Sequence, residues 1–289
     1  MRTARDTIAL VTGATSGIGQ ATAKGLAKWG AHVTLVVRNR AKGEATVAEI
    51  QREVPKARVD LLVADLSSQR SIREAAAAFL KAHKELHILV NAAGVFVPER
   101  EVTEDGLERT FATNYVAYFL LTNLLAPALQ RGAPSRVVNV SSRYGGAKVD
   151  FDDPNFERRP YSYIKSTPPT MVARVLFTQE FAERMNGKGV VANAVHPGLV
   201  AHTQLLNETG GFFRWVTNTF GGTPEKGADT VLWLATAPEA AQVTGQLWQK
   251  RKPLKTPGQG SDPQARKRLW EMTETLVAAS NGSKAKAKT

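Results

Sequence analysis

The stretch Thr12-Gly13-Ala14-Thr15-Ser16-Gly17-Ile18-Gly19 decides the fold, because it sets three glycines between an apolar run and a helical pattern. The apolar run is Ile8–Thr12, and the helical pattern covers residues 18–29. Glycines in such a turn let the backbone bend tightly and approach a pyrophosphate, whose charge the helix N-terminus then stabilises. The stretch therefore predicts a dinucleotide-binding turn that is formed by Gly13, Thr15, Ser16, Gly17, Ile18 and Gly19.

Outward from this turn, short apolar runs alternate with longer segments of helical period. The predicted strands are Ile8–Thr12, His32–Val37, Val59–Val63, Ile88–Val90, Arg136–Val140, Val190–Val195 and Gln246–Trp248. The predicted helices cover residues 18–29, 40–54, 69–84, 104–131, 169–186, 225–237 and 262–278. Buried parallel strands are typically continuous apolar runs, and right-handed crossovers place helices between them. The pattern predicts an α/β fold, a Rossmann-type doubly wound parallel sheet of about seven strands with helices on both faces.

The length of 289 residues fits one large α/β domain, which we expect over residues 1–280. A polar connection at residues 143–168 follows the fifth strand, and residues 199–224 follow the sixth with an aromatic cluster between Phe212 and Phe220. Because ligands bind beyond the carboxyl ends of such strands, we expect both segments to border the site, with 199–224 as a substrate loop. Residues 281–289 alternate lysine with small residues, which predicts a basic disordered tail.

The composition excludes several classes of protein. Cysteine is absent, which excludes disulfides, thiolate metal sites and cysteine catalysis and favours a cytoplasmic location. There is no apolar run long enough for a transmembrane segment. The formal charge of +12 suggests a nucleic-acid partner. However, residues 250–289 contain ten Lys or Arg and three Asp or Glu, so +7 of this charge lies in the C-terminal region. With no nucleic-acid-binding motif in the chain, we expect no nucleic-acid partner.

The turn after the second predicted strand is basic. Val37 is followed by Arg38, Arg40 and Lys42, and the first acidic residue is Glu44. Sheets that bind NAD commonly have an acid here for the adenine ribose hydroxyls, whereas a nearby arginine suits the 2′-phosphate of NADP. The turn therefore favours NADP(H) as the cofactor, with Arg38 and Lys42 binding the phosphate.

Together these motifs resemble those of the short-chain dehydrogenase/reductase family, in particular its retinol-dehydrogenase-like branch. The resemblance covers roughly residues 6–278 and rests on Thr12–Gly19, the turn from Arg38 to Glu44, Asp65-Leu66, Asn91-Ala92-Ala93-Gly94, Thr113-Asn114, Val138–Ser142 and Pro197-Gly198. It implies that Asp65 and Leu66 contact the adenine. The same resemblance implies that Asn91, Ala92 and Gly94 line the cofactor and that Pro197, Gly198 and Val200 face the nicotinamide.

The family resemblance also implies the chemistry. Members use a serine, a tyrosine, a lysine and a supporting asparagine to exchange a proton with the substrate oxygen, while the nicotinamide exchanges a hydride. Ser142 matches the family serine and Asn114 the family asparagine. We expect an oxidoreductase that acts on a small lipophilic carbonyl or alcohol, because the cluster between Phe212 and Phe220 is apolar. The resemblance is also consistent with a homo-oligomer.

A Tyr-x-x-x-Lys string is present as Tyr161-Ser162-Tyr163-Ile164-Lys165, but the family register places its positions elsewhere. The segment Val172–Thr178 is similar to the branch pattern Leu-Ala-Asn-x-Leu-Phe-Thr that follows the family lysine. Counting back from this match puts the lysine position at Met171 and the tyrosine position at Thr167. Counting forward from Ser142 by the loop length that is usual in this branch also puts the tyrosine position at Thr167.

Local chemistry around Thr167 supports this register. The sequence Thr167-Pro168-Pro169 is typical of an N-cap followed by proline in the first helical turn. Proline disfavours helical geometry in the preceding residue and cannot continue an earlier helix. We therefore expect Tyr161 and Lys165 to lie in the loop before the helix. In a loop, their four-residue spacing no longer places the two side chains one helical turn apart.

Three hypotheses follow for the catalytic centre. In the first, an active reductase uses Tyr161 or Tyr163 with Lys165. In the second, the fold keeps NADP but uses another acid, such as Tyr144 or His202, or catalyses a non-redox cyclisation or isomerisation. In the third, the protein is a dinucleotide-binding sensor or scaffold without turnover.

The five histidines do not predict a metal site. None is spaced along the chain with a carboxylate partner in the manner of a metal-binding motif. His196 is expected to be a structural residue at a strand end, and His202 to lie at the mouth of the site.

Overall fold

The computed structural model describes residues 3–143, 146–200, 221–256 and 258–282. Within them, one sheet has the order β3-β2-β1-β4-β5-β6-β7-β8. The strands are β1 (Ile8–Thr12), β2 (His32–Val37), β3 (Val59–Val63), β4 (Ile88–Asn91), β5 (Ser135–Val140), β6 (Val190–Val195), β7 (Leu247–Gln249) and β8 (Lys252–Leu254). All neighbouring pairs are parallel except β7 and β8, which are antiparallel. The predicted Rossmann-type α/β fold is confirmed, with β8 as an additional edge strand.

Helices cover both faces of the sheet. They are α1 (Gly17–Trp29), α2 (Arg40–Glu53), α3 (Gln69–Ala82), α4 (Arg109–Phe111), α5 (Ala117–Arg131), α6 (Tyr163–Arg184), α7 (Pro224–Thr236) and α8 (Pro263–Gly282). A π-helical segment at Ala112–Val116 joins α4 to α5, and short 3-10 turns occur at Ala4–Asp6, Pro238–Ala240 and Gly258–Ser261. Leucines, alanines and aromatics of α3, α5, α6 and α8 form one apolar core, and α1, α2 and α7 form the other.

The topology creates a crevice between β1 and β4. The strands adjoin each other in the sheet, yet the chain runs from β1 toward one edge and from β4 toward the other. Where the strand order reverses in this way, the connections after the two strands separate and leave space for a ligand at their carboxyl ends. The glycine-rich turn follows β1 directly, so the fold places it at this crevice.

The start of α6 differs from the prediction. The helix begins at Tyr163 rather than after Thr167, with Ser162 at the N-cap and Pro168 and Pro169 inside it. The missing proline N–H groups would have bonded to the carbonyls of Ile164 and Lys165. Both of those residues are exposed, so water can satisfy their carbonyls. The expectation that Lys165 lies in the preceding loop was therefore wrong, whereas Tyr161 does precede the helix.

Some predictions fall on residues outside the described ranges. These are Tyr144, His202, most of the expected substrate loop (residues 201–220) and most of the expected tail (residues 283–289). Among the helices that the structure does describe, none combines the length and the apolar character that a membrane crossing requires.

Candidate active site

A cavity of about 350 Å³ lies at the carboxyl ends of the central strands. It brings together most of the residues that the sequence predicted as cofactor ligands, although they come from separate parts of the chain. These are Gly13, Thr15, Ser16, Gly17, Ile18, Gly19, Arg38, Lys42, Asp65, Leu66, Ala92, Gly94, Pro197, Gly198 and Val200. Ser142 also lines the cavity, so the expected catalytic serine and the expected cofactor ligands share one site.

The glycine-rich turn is packed too tightly for side chains. Gly13 has a φ of +66°, and a Cβ there would lie 2.8 Å from the Cα of Ala93. A Cβ on Gly19 would lie 2.3 Å from the carbonyl oxygen of Gly13. Ser16 is the N-cap of α1, but its side chain makes no capping hydrogen bond. The first N–H groups of α1 are thus suited to an anion such as a pyrophosphate.

The basic turn forms one end of the cavity. Arg38 and Lys42 line it and are exposed, while Asn39 caps α2 by accepting a hydrogen bond from the Lys42 N–H at 3.0 Å. The neighbouring strand end contributes Asp65, whose Oδ1 accepts from the N–H and hydroxyl of Ser67 at 2.9 and 2.7 Å. This end of the cavity therefore carries two cations and one carboxylate that is held by a local turn.

Hydrogen bonds from buried side chains hold the segment that follows β4 and forms one wall of the cavity. Thr12 Oγ1 accepts hydrogen bonds from the N–H groups of Ala92 and Ala93 at 3.0 and 3.2 Å. Asn91 is buried and does not line the cavity, since its amide donates to Thr122 Oγ1 at 3.0 Å and Asn139 Oδ1 at 2.9 Å. Asn91 thus positions the strand end, whereas the residues after it form the surface of the cavity.

Asn114 holds the next part of this wall. Its side chain is fully buried and pairs with both main-chain groups of Val95, accepting from the N–H at 2.8 Å and donating to the carbonyl at 2.9 Å. Val95 lines the cavity, whereas Asn114 does not. The side chain therefore acts by positioning the loop that carries Val95. Its neighbour Thr113 does line the cavity, a contribution that the sequence analysis did not identify.

Ser142 has a partner that the sequence analysis took to be structural. Its Oγ lies 3.3 Å from Nδ1 of His196, the residue that follows β6. Burial and the nearby charge of Arg143 lower the pKa of His196 below its ordinary value. The imidazole is therefore mainly neutral near pH 7 and, depending on its tautomer, accepts from or donates to the serine hydroxyl.

The Tyr-x-x-x-Lys string does not form a pair in the cavity. The hydroxyl of Tyr161 donates to the carbonyl of Val97 at 2.8 Å and lies 3.1 Å from Thr110 Oγ1, and burial raises its pKa. Lys165 is exposed in the first turn of α6. Neither residue lines the cavity, and neither does Tyr163, whose ring centroid lies 6.3 Å from that of Phe96 in the wall.

The two positions that the family register assigned to tyrosine and lysine differ in their surroundings. Thr167 is buried and does not line the cavity, and its hydroxyl has no hydrogen-bond partner in the part of the chain that the structure describes. Met171, one turn later, does line the cavity. The thioether of Met171 is apolar, so this position cannot supply the positive charge that a lysine would bring.

A cation nevertheless enters the cavity from the following turn of α6. Arg174 is buried and lines the cavity, and its Nε donates to the carbonyl of Asn114. Its Nη1 donates to the carbonyl of Val140 at 2.8 Å and its Nη2 to that of Ala93 at 3.0 Å. Arg174 was not predicted from the sequence, although a single charge within the apolar run Met171–Phe177 was a signal of a buried cation.

A second polar cluster lies at the opposite ends of the strands. Nε2 of His32 and Nε2 of His83 lie 2.8 and 3.3 Å from the same Asp60 oxygen. The sequence spacing of these residues did not predict that they would meet. Both imidazoles can donate to the half-exposed carboxylate of Asp60, so the cluster is satisfied as a hydrogen-bonded surface group.

Comparisons with known proteins agree with this geometry. The model of the family described as short chain dehydrogenase matches residues 7–211. Retinol dehydrogenase 13 of Homo sapiens is 38% identical over 277 residues, and the match covers 93% of this chain and 83% of that protein. Retinol dehydrogenase 14 of the same organism is 36% identical over 291 residues, and the match covers 93% of this chain and 85% of that protein. A short chain dehydrogenase from Burkholderia cenocepacia, solved in complex with NADP, is 26% identical and covers 85% of this chain and 96% of that one with a TM-score of 0.68. This chain is an oxidoreductase that belongs to the short chain dehydrogenase family.

Proposed function

We propose that the protein is an NADP(H)-dependent oxidoreductase that interconverts a small lipophilic carbonyl compound and its alcohol. The observation that carries the cofactor choice is the pair of cations at one end of the cavity. Arg38 and Lys42 follow β2, where sheets that bind NAD commonly carry an acid for the ribose hydroxyls, and both line the cavity. The Burkholderia cenocepacia relative that was solved with NADP supports the same choice.

The lining of the other end supports a lipophilic substrate. Beside Ser142 the cavity is lined by the apolar side chains of Phe96, Met171 and Leu199. Leu199 is 47% exposed, so an apolar surface reaches the entrance, where a lipophilic molecule would shield it from water. The relatives named as retinol dehydrogenases are consistent with a substrate of this kind. A cytoplasmic location and a homo-oligomer stay predictions from the sequence.

The residues of the chain would share the chemistry as follows. Bound NADPH would supply the hydride for reduction of the carbonyl carbon. The Ser142 hydroxyl would donate a hydrogen bond to the substrate oxygen, with His196 at 3.3 Å fixing the direction of that hydroxyl. Asn114 would keep the wall of the cavity in place through Val95. The proton donor stays unassigned.

A second candidate function follows from the absence of tyrosine among the described residues that line the cavity. The described part of the cavity therefore presents no tyrosine to serve as the usual acid of the family, which favours two other hypotheses. The protein would then use another acid, such as Tyr144 or His202, or catalyse a non-redox cyclisation or isomerisation. Alternatively, it would bind NADP as a sensor without turnover.

Cofactor titrations test the first part of the proposal. We expect NADPH to bind in the micromolar range and more tightly than NADH, as followed by protein fluorescence. Arg38→Ala and Lys42→Ala should each weaken NADPH binding by about tenfold while leaving NADH binding unchanged, since each loses one charged contact to the phosphate. Arg40→Ala is the matched control, because Arg40 lies in the same turn but does not line the cavity. Binding of neither nucleotide would overturn the proposal.

A turnover screen separates the two candidate functions. We expect NADPH oxidation, followed by absorbance, with apolar aldehydes, ketones or quinones and its loss in Ser142→Ala. Tight NADPH binding with no oxidation across the screen would favour the non-redox or sensor function.

A further inference from the structure

Arg174 is a fixed charge at the end of the cavity opposite the basic turn. Its guanidinium contacts carbonyls from three segments, namely Asn114 in the π-helical segment, Val140 at the end of β5 and Ala93 after β4. It also lies 4.1 Å from the ring centroid of Tyr118, which is buried. Contacts with three segments of the scaffold and with a ring leave the guanidinium little freedom to move away.

The position of Arg174 along the cavity determines which part of a dinucleotide it would meet. A dinucleotide in this fold lies across the switch between β1 and β4 with its pyrophosphate at α1. The phosphate-binding cations stand after β2, on one side of that switch. Arg174 and Ser142 line the cavity on the other side, near the ends of β4 and β5. That side is where the nicotinamide half belongs.

Oxidised and reduced nicotinamide differ by one positive charge on the ring. A buried cation therefore repels the oxidised ring but not the reduced one, and its effect is larger in a protein wall than in water. Arginine is the cation best suited to this role, because it keeps its charge in buried sites. On these grounds, and resting on the proposed function, we propose that Arg174 makes the protein bind NADPH in preference to NADP⁺.

The first experiment neutralises the charge at Arg174 itself. Dissociation constants for NADPH and NADP⁺ are measured by fluorescence and calorimetry for wild type, Arg174→Lys and Arg174→Gln. We expect the ratio of the NADP⁺ constant to the NADPH constant to fall by about tenfold in Arg174→Gln, which loses the repulsion of one unit charge, and to be retained in Arg174→Lys. Arg184→Gln is the control, since Arg184 lies on the same helix and pairs with Glu180 outside the cavity.

The second experiment keeps Arg174 and all its carbonyl contacts, so it does not depend on the folding of the first variants. Met171 lines the cavity, and its Sδ lies 3.4 Å from Arg174 Nη1. Met171→Glu would place a carboxylate beside the guanidinium and cancel its charge, whereas the isosteric Met171→Gln would not. We expect the ratio to fall in the glutamate variant and to stay near the wild-type value in the glutamine variant.

The outcomes distinguish this inference from the proposed function. A wild type that binds neither NADPH nor NADH would contradict the proposed function. A wild type that binds NADPH no more tightly than NADP⁺ would overturn the role of Arg174 alone. A ratio of the NADP⁺ and NADPH constants that stays unchanged in both Arg174→Gln and Met171→Glu would also overturn that role. Arg174 would then only stabilise the fold through its carbonyl contacts.

Discussion

The hydroxyl of Ser142 lies 3.3 Å from Nδ1 of His196, so the ends of β5 and β6 share a polar pair at the cavity. The two strands are paired in parallel, and Val140 lies opposite Val195. Ser142 lies two residues beyond Val140 and His196 one residue beyond Val195, so the two side chains meet at the strand ends although 54 residues separate them. The stability of this end of the sheet therefore depends on whether the imidazole of His196 is protonated.

Acid should weaken the fold through His196. Its pKa in the folded state is lowered from 6.5, first by burial and then by the charge of Arg143. The unfolded chain therefore takes up this proton first as the pH falls, so the stabilisation is present above pH 6.5 and is lost below it. We expect wild type to lose more thermal stability than His196→Gln between about pH 7.5 and about pH 5. Parallel losses in the two proteins would contradict this role.

Tyr161 should not be the proton donor. Its hydroxyl is bonded to Val97 outside the cavity, so Tyr161→Phe should keep the wild-type turnover and lose about 1 kcal/mol of unfolding free energy. Ser142→Ala, by contrast, should lower kcat/KM by about 100-fold with little change in stability. Steady-state kinetics and denaturant titrations of the two variants check the contrast. A large loss of turnover in Tyr161→Phe would return that tyrosine to the catalytic centre.

Gly13 should tolerate no side chain. Gly13→Ala combines a positive φ with a Cβ only 2.8 Å from Ala93 Cα, so we expect a loss of about 3 kcal/mol or more together with loss of NADPH binding. Gly106→Ala is the control for backbone conformation, because Gly106 has a φ of +75° with nothing within 4 Å of its Cβ position. That variant should lose about 1–2 kcal/mol and bind NADPH normally. Equal losses would show that packing against Ala93 is unimportant.

Asn114 should act through Val95. Asn114→Ala removes one acceptor and one donor that hold the main chain of Val95, so we expect a loss of about 2 kcal/mol and faster amide exchange at Val95. Asn123→Ala serves as the comparison, because Asn123 makes a hydrogen bond only to Phe119 within its own helix among the contacts described. Slow exchange at Val95 in the Asn114 variant would argue against this positioning role.

The sheet and most of the residues that line the cavity could be predicted from the sequence because their signals are local. Buried parallel strands are apolar runs, and glycine-rich and basic turns directly follow such runs. Even so, β8 was missed, since Lys252–Leu254 is only three residues long and contains a proline. It pairs with β7 only through a reversal in which Lys250 and Arg251 adopt positive φ values.

The side of the cavity near the ends of β4 and β5 was less predictable, because most of its contacts are not local in sequence. Pro168 and Pro169 suggested a helix start after Thr167, but the exposed face of α6 accommodates both prolines and the helix begins at Tyr163. A charged residue in a helix usually faces solvent, and only the apolar run Met171–Phe177 around it marked Arg174 as an exception. Its three carbonyl partners lie 34 to 81 residues away along the chain and meet only in the folded protein.

The joint anchoring of Arg174 also constrains how this protein can change over generations. Losing Arg174 alone leaves the carbonyls of Asn114, Val140 and Ala93 without this donor. Gaining a lysine at Met171 alone sets two like charges side by side. Each single substitution is therefore expected to be worse than the pair made together. A lysine at the position that the family register assigns to it would therefore need a compensating change at Arg174.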